Sequence, residues 1–174
     1  MSRLFSSFAR DTRGAAAAEM ALVLPFLMVL MFGGMEAGHF YWTEHKVLKA
    51  VRDGARFAAR QNFSAYTCST VDETTRAKVS LLTRTGQLDA ANDTDQYRKV
   101  PGWADGTGAS ASLLQVSVAC NTATTGGIYI SQTGGAPVVT VSAVVPYPSL
   151  FAGLGIINSS AYLKATARSA VAGI

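Results

Sequence analysis

The chain has 174 residues, of which 49% are hydrophobic and 15% charged, with a formal net charge of +4. That is too apolar and too weakly charged for a disordered segment, and it is long enough for one modest domain beside an N-terminal segment. The basic balance does not point to nucleic acid. Arg3, Arg10 and Arg13 crowd before an apolar run, and taking them and Asp11 from the 15 basic and 11 acidic residues leaves +2. The remaining cluster, Lys46, Lys49, Arg52, Arg56 and Arg60, is interleaved with Glu44 and Asp53 on one expected helix, which is the usual make-up of a solvated face.

In chain order, residues 1–14 read as a short basic leader ending at Gly14. The run Ala15–Met35 follows, 21 residues carrying a single charge, Glu19. That is close to the roughly 20 residues needed to span hydrocarbon, and a carboxylate at the edge of such a run is costly and marks function. A secretory signal would have a shorter apolar region and small residues before the cut, but Glu36-Ala37-Gly38-His39-Phe40 offers no A-x-A pattern. Two readings keep the hydrophobic segment. One is an uncleaved anchor. The other is a cut after Gly14 that makes Ala15 the new amino terminus and Glu19 its fifth residue. Topology rules do not separate these two. The positive flank stays cytoplasmic, so everything beyond about residue 40 lies outside the cytoplasm.

The helix is expected to outrun the membrane segment. Phe40, Val47, Leu48, Val51, Ala55 and Ala58 recur at steps of three, four and seven, one face of an α-helix. Continuous from Ala15 to about Arg60, it would be roughly 70 Å long. Pro25 removes one backbone donor and should loosen it locally. Gly34 and Gly38 form a small-xxx-small pair that lets another helix approach, although glycines are also common in membrane helices generally. Phe40-Tyr41-Trp42 fits either an aromatic belt or packing of the helix on a head. His39 and His45 have no third ligand at metal spacing and read as interfacial or solvated.

Beyond the helix, Cys68 and Cys120 form one disulfide in an oxidising compartment or two buried thiols in a reducing one. The charge asymmetry of the N-terminus puts them on the oxidising side. Thr70 with Glu73 three residues later makes a capping box, starting a second helix that runs to about Thr85 and stops at Gly86. Residues 87–110, rich in Asp, Asn, Gly and Thr, read as a long solvated surface loop. Asp89, Asn92, Asp93 and Asp95 lack the frame of a calcium loop. Three stretches then alternate with period two: Leu114 to Cys120, Val139 to Val145, and Ala161 to Arg168. A three-stranded antiparallel meander packed on the second half of the long helix buries both apolar faces. The expected fold is α+β: a long N-terminal transmembrane and amphipathic helix carrying a small head, a lollipop. Its parts are a leader (1–14), a transmembrane or filament-core helix (15–38), its extracytoplasmic half (39–62) and the head (63–174, with loop 87–110).

No nucleophile elbow, zinc-binding helix, phosphate loop or dinucleotide fingerprint occurs, so the expectation is a non-enzyme without cofactor or metal. The ordered set Arg13-Gly14-Ala15-Ala16-Ala17-Ala18-Glu19, Leu24-Pro25, Glu36-Ala37-Gly38 and Arg52-Asp53-Gly54-Ala55-Arg56 resembles the TadE-like (TadE/TadF) family. These are pseudopilins of the tight-adherence (Tad/Flp) type IV pilus machinery. Two positions depart from the common pattern: Met20 stands where an aromatic often follows the glutamate, and His39 where an arginine is common.

The resemblance implies cleavage between Gly14 and Ala15 by a membrane prepilin peptidase. It also implies that Glu19 pairs with the amino terminus of a neighbouring subunit and so sets helix register. The product would be a minor pilin-like subunit taking part in pilus assembly, initiation or adherence. Its implied partners are other pilin and pseudopilin subunits, the inner-membrane assembly platform and the lipid bilayer. It would be anchored in the bacterial inner membrane with its head outside the cytoplasm. The competing expectation is a membrane-anchored extracytoplasmic binding module that never polymerises, which needs neither leader removal nor an intramembrane carboxylate.

Overall fold

The computed structural model describes residues 13–94, 96–103, 113–152 and 161–173. Leader residues 1–12, Asp95 and loop residues 104–112, all of which figure in the sequence reading, lie outside the described residues. The elements are a helix α1 (Arg13–Ala59), a second helix α2 (Glu73–Thr85) and three strands, β1 (Leu113–Asn121), β2 (Ala136–Pro146) and β3 (Tyr162–Ala170). The strands form one antiparallel sheet in the order β1-β2-β3. The fold class is therefore the expected α+β arrangement of a long apolar N-terminal helix, a second helix and a three-stranded antiparallel sheet. The chain divides between His39 and Phe40 into two compact units.

In the second unit, period-two alternation puts one face of every strand inward. Leu114, Ala143 and Ala165 form one row across the sheet, and Val116, Val141 and Ala167 the next. Val139, Val141, Val145 and Leu163 are fully buried in a common core with Val47, Ala50, Val51, Ala55 and Ala58 of α1. Burying each valine or leucine contributes about 1.5–3 kcal/mol, so this seam is the main source of stability. The α1 residues recur at three and four, the single stripe a helix buries against a sheet.

α2 begins differently from the expectation. Its N-cap is Asp72, whose carboxylate accepts from the Thr75 N–H at 3.2 Å. Thr70 instead shares a hydroxyl contact of 2.6 Å with Thr67, so the Thr70–Glu73 capping box does not form. A carboxylate satisfies an orphan N–H and meets the positive helix end, which a hydroxyl cannot do as well. The helix stops as expected at Gly86, which adopts φ 82 and donates its N–H to the Leu82 carbonyl at 2.8 Å. A residue with a Cβ is strained in that conformation.

Loop 87–110 is not simply solvated. Val100 and Trp103 are each 0% exposed. Arg84 of α2 is almost as deeply buried, and its Nη2 donates to Asp93 Oδ2 at 3.0 Å, while Arg98 Nε donates to Asp93 Oδ1 at 3.4 Å. The Lys99 N–H donates to the Arg84 carbonyl at 2.8 Å. The polar composition that signals a loop here supplies the anchors that hold two apolar residues in the core. Cys68 and Cys120 are joined as a disulfide across a sequence separation of 52.

Candidate functional site

The candidate site is the N-terminal part of α1. Ala15-Ala16-Ala17-Ala18 is a run of the best helix former, and the helix continues through Pro25, which has no N–H to offer the Ala21 carbonyl. Every residue from Gly14 to Met35 is exposed, with Leu22 at 71% and Phe26 at 72%. α1 is long and apolar enough to cross a membrane, and none of its most apolar 18-residue window is buried. The core helix of a water-soluble protein would have its apolar face covered by its own fold. This surface instead requires hydrocarbon or other helices around it, which fits a membrane anchor.

Glu19 is exposed on this surface between Ala18 and Met20. It follows Ala15 by four residues, about one helical turn, so the two share a face of α1. The structure thus puts Gly14, Ala15 and Glu19 in the first turns of one helix, with Pro25, Gly34 and Gly38 further along it.

The glycines fall into two kinds. A Cβ built at Gly14, Gly33, Gly34 or Gly38 would meet nothing within 4 Å. Glycine in a helix interior costs about 1 kcal/mol relative to alanine, yet nothing in the packing of the described residues requires it at those four positions. Gly54 is the opposite case, because a Cβ there would stand 2.0 Å from Thr83 Oγ1. Here α1 and α2 come close together. Sequence reasoning quoted Gly54 inside the Arg-x-Gly-Ala-Arg stretch without giving it a role. Its position one turn beyond the buried Ala50 was the available signal.

The aromatic cluster past the apolar run divides into one packed ring and two exposed ones. Phe40 packs edge-on against Tyr147 with centroids 5.0 Å apart, which is head packing. Tyr41 and Trp42 point outward at 62% and 59% exposure, and Lys46 Nζ lies 3.7 Å from the Trp42 ring centroid. No group of three or more His, Cys, Asp or Glu side chains among the described residues is placed to hold a metal ion.

An unburied, hydrocarbon-length helix carrying a carboxylate, followed in sequence by an α+β unit, fits a membrane-anchored protein. Residues 14–56 match the family model described as TadE-like protein, so over this stretch the chain is TadE-like, as its motifs indicated. The match begins at Gly14 and ends at Arg56, so it takes in the apolar run, the aromatic cluster and the Gly54 crossing. No curated protein and no solved structure matches the chain.

Proposed function

We propose that this chain is a minor pilin-like (pseudopilin) subunit of a Tad pilus. It is cut after Gly14 by a prepilin peptidase and taken into the pilus assembly complex through the helix that begins at Ala15. The observation that carries this reading is the wholly exposed apolar helix with Glu19 near its start, in a stretch that is TadE-like from Gly14 onward. The inner membrane holds the subunit before assembly, with the head outside the cytoplasm. In the assembly, neighbouring pilin and pseudopilin helices cover the surface that this chain leaves bare.

The chemistry at Glu19 follows from its surroundings. An unpaired carboxylate in hydrocarbon costs several kcal/mol. Cleavage frees an ammonium at Ala15, a partner of opposite charge at nearly the same depth on an adjacent subunit. Such a pair contributes little net affinity, because both charges must be desolvated, but it fixes the axial register of two otherwise slippery apolar helices. The unneeded glycine at Gly14 fits a backbone approached closely by a peptidase, and Gly34 and Gly38 fit close approach by a neighbouring helix.

The test is Glu19→Ala in the native host. The variant should insert, lose its leader and fold its head, yet fail to crosslink to neighbouring pilins or to support piliation. Full piliation with wild-type crosslinks would remove the register role and favour the non-polymerising anchored module.

A further inference from the structure

The basic cluster of α1 becomes a different object once folded. In sequence, Lys46 to Arg60 alternates with Glu44 and Asp53. On the helix, His45, Lys49, Arg52 and Arg56 follow each other at steps of four, three and four, with Arg60 next after the last turn, and all five are exposed. Glu44 lies off this line, and Asp53 lies at its edge, four residues after Lys49 and three before Arg56. Both are half-buried, and the Asp53 carboxylate faces Lys99 Nζ at 3.8 Å. None of the five basic residues forms an ion pair with a described residue. The opposite face of the same turns is the core stripe of Val47, Val51, Ala55 and Ala58.

The result is a single file of four like charges, Lys49 to Arg60, roughly 16 Å long on the outward side of the head, with His45 one turn before it. Like charges at i,i+4 destabilise a helix slightly, so the row works weakly against the fold that bears it and gains from an anionic partner. Three of its members are arginines, whose planar forks match carboxylates or phosphates bidentately.

The form of the row narrows the partner. Steps of four and three repeat the spacing of carboxylates along one face of another α-helix. A single nucleic-acid strand is gripped by cations interleaved with stacking aromatics. Here the one aromatic between His45 and Arg60, Phe57, packs against the core. A second copy of this chain is no match either. Among the described residues of the head, the exposed carboxylates are Asp72, Glu73 and Asp89, which form no helical row.

We infer that the His45–Arg60 row is a docking surface for a helix of a different protein, one bearing carboxylates at three- and four-residue spacing. The inference rests on the assembly reading only in making that protein another member of the pilus complex.

The test uses the full chain in neutral detergent and a fluorescent, helix-stabilised peptide with glutamates at i, i+4, i+7 and i+11. Anisotropy should show binding that weakens several-fold between low and physiological salt. A peptide of the same composition with its glutamates spread around the helix should bind at least tenfold more weakly. The Lys49→Glu/Arg52→Glu/Arg56→Glu variant should lose the striped peptide by a similar factor while keeping the wild-type melting curve. Equal binding of striped and scrambled peptides would overturn the inference. So would tighter binding of a single-stranded oligonucleotide or of phosphatidylglycerol vesicles through the same three residues. The peptide reads the head surface alone, so a fully piliated Glu19→Ala strain would refute the assembly reading and leave this surface standing.

Discussion

Replacing Gly54 with alanine probes the close approach of α1 and α2. The added Cβ would stand 2.0 Å from Thr83 Oγ1 and 3.3 Å from Thr83 Cβ. Comfortable contact is about 3.5 Å, so either the helices open by more than about 1 Å or Thr83 changes rotamer. Opening the helices is an overpacking strain of about 1–3 kcal/mol. Turning Thr83 breaks its buried hydrogen bond to the Val79 carbonyl at 2.7 Å, which costs about 1–3 kcal/mol. Against either stands a gain of about 1 kcal/mol from replacing glycine in a helix. We expect a net loss of about 1 kcal/mol, lowering the thermal midpoint of the head by roughly 4 °C. Near-UV circular dichroism of the full chain in detergent reads it. Thr83→Ala removes the offending oxygen, so Gly54→Ala in that background should be neutral or slightly stabilising. A Gly54→Ala protein as stable as wild type, or equal losses in both backgrounds, would refute the close crossing as the reason for the glycine.

Three further predictions concern the head. Alkylation of the native or unfolded, unreduced protein should label neither Cys68 nor Cys120; the closed loop, with a separation of 52, is worth about 4 kcal/mol, and replacing both cysteines should lower stability by a similar amount. Hydrogen bonds from the Thr74 hydroxyl and the Thr75 N–H hold the Asp72 carboxyl below the usual carboxylate range. Its contribution is therefore present above that range and lost as pH falls through the lowered value, and Asp72→Asn, which keeps an acceptor but does not titrate, should flatten that part of the acid-stability curve. Trp103 is 0% exposed and Trp42 59% exposed, so iodide should quench one tryptophan and spare the other, and Trp103→Ala should cost about 3–5 kcal/mol.

The elements with strong periodicity were legible without coordinates. Val139-Thr140-Val141-Ser142-Ala143 alternates because one sheet face is buried, and Val47, Val51, Ala55 and Ala58 recur because one helix face is. Gly86 ends its helix for a local reason, its left-handed backbone, and local reasons are written in the residues themselves. The misses depend on partners distant in sequence. Thr70 and Asp72 are both competent caps, and only the path of the chain between Tyr66 and Val71, where a short antiparallel bridge forms, selects the aspartate. The burial of Trp103 rests on Arg84 and Arg98 reaching Asp93, a network that composition reads as solvated polarity. Lys49, Arg52 and Arg56 appear mixed with acids in a linear string and separate from them only when wound at 3.6 residues per turn. At the N-terminus the roles proposed for Gly14, Ala15 and Glu19 concern partners outside the chain, which no feature of the isolated fold could display.

The intact mass of the protein extracted from native membranes distinguishes a processed, pilin-like subunit from a plain anchored protein. The expected polypeptide begins at Ala15 and retains the whole of α1 beyond it, and replacement of Gly14 by tryptophan should restore the mass of residues 1–14. A native protein that still carries its first fourteen residues in cells containing the peptidase, or one that begins beyond Met35, would contradict the processed-subunit reading.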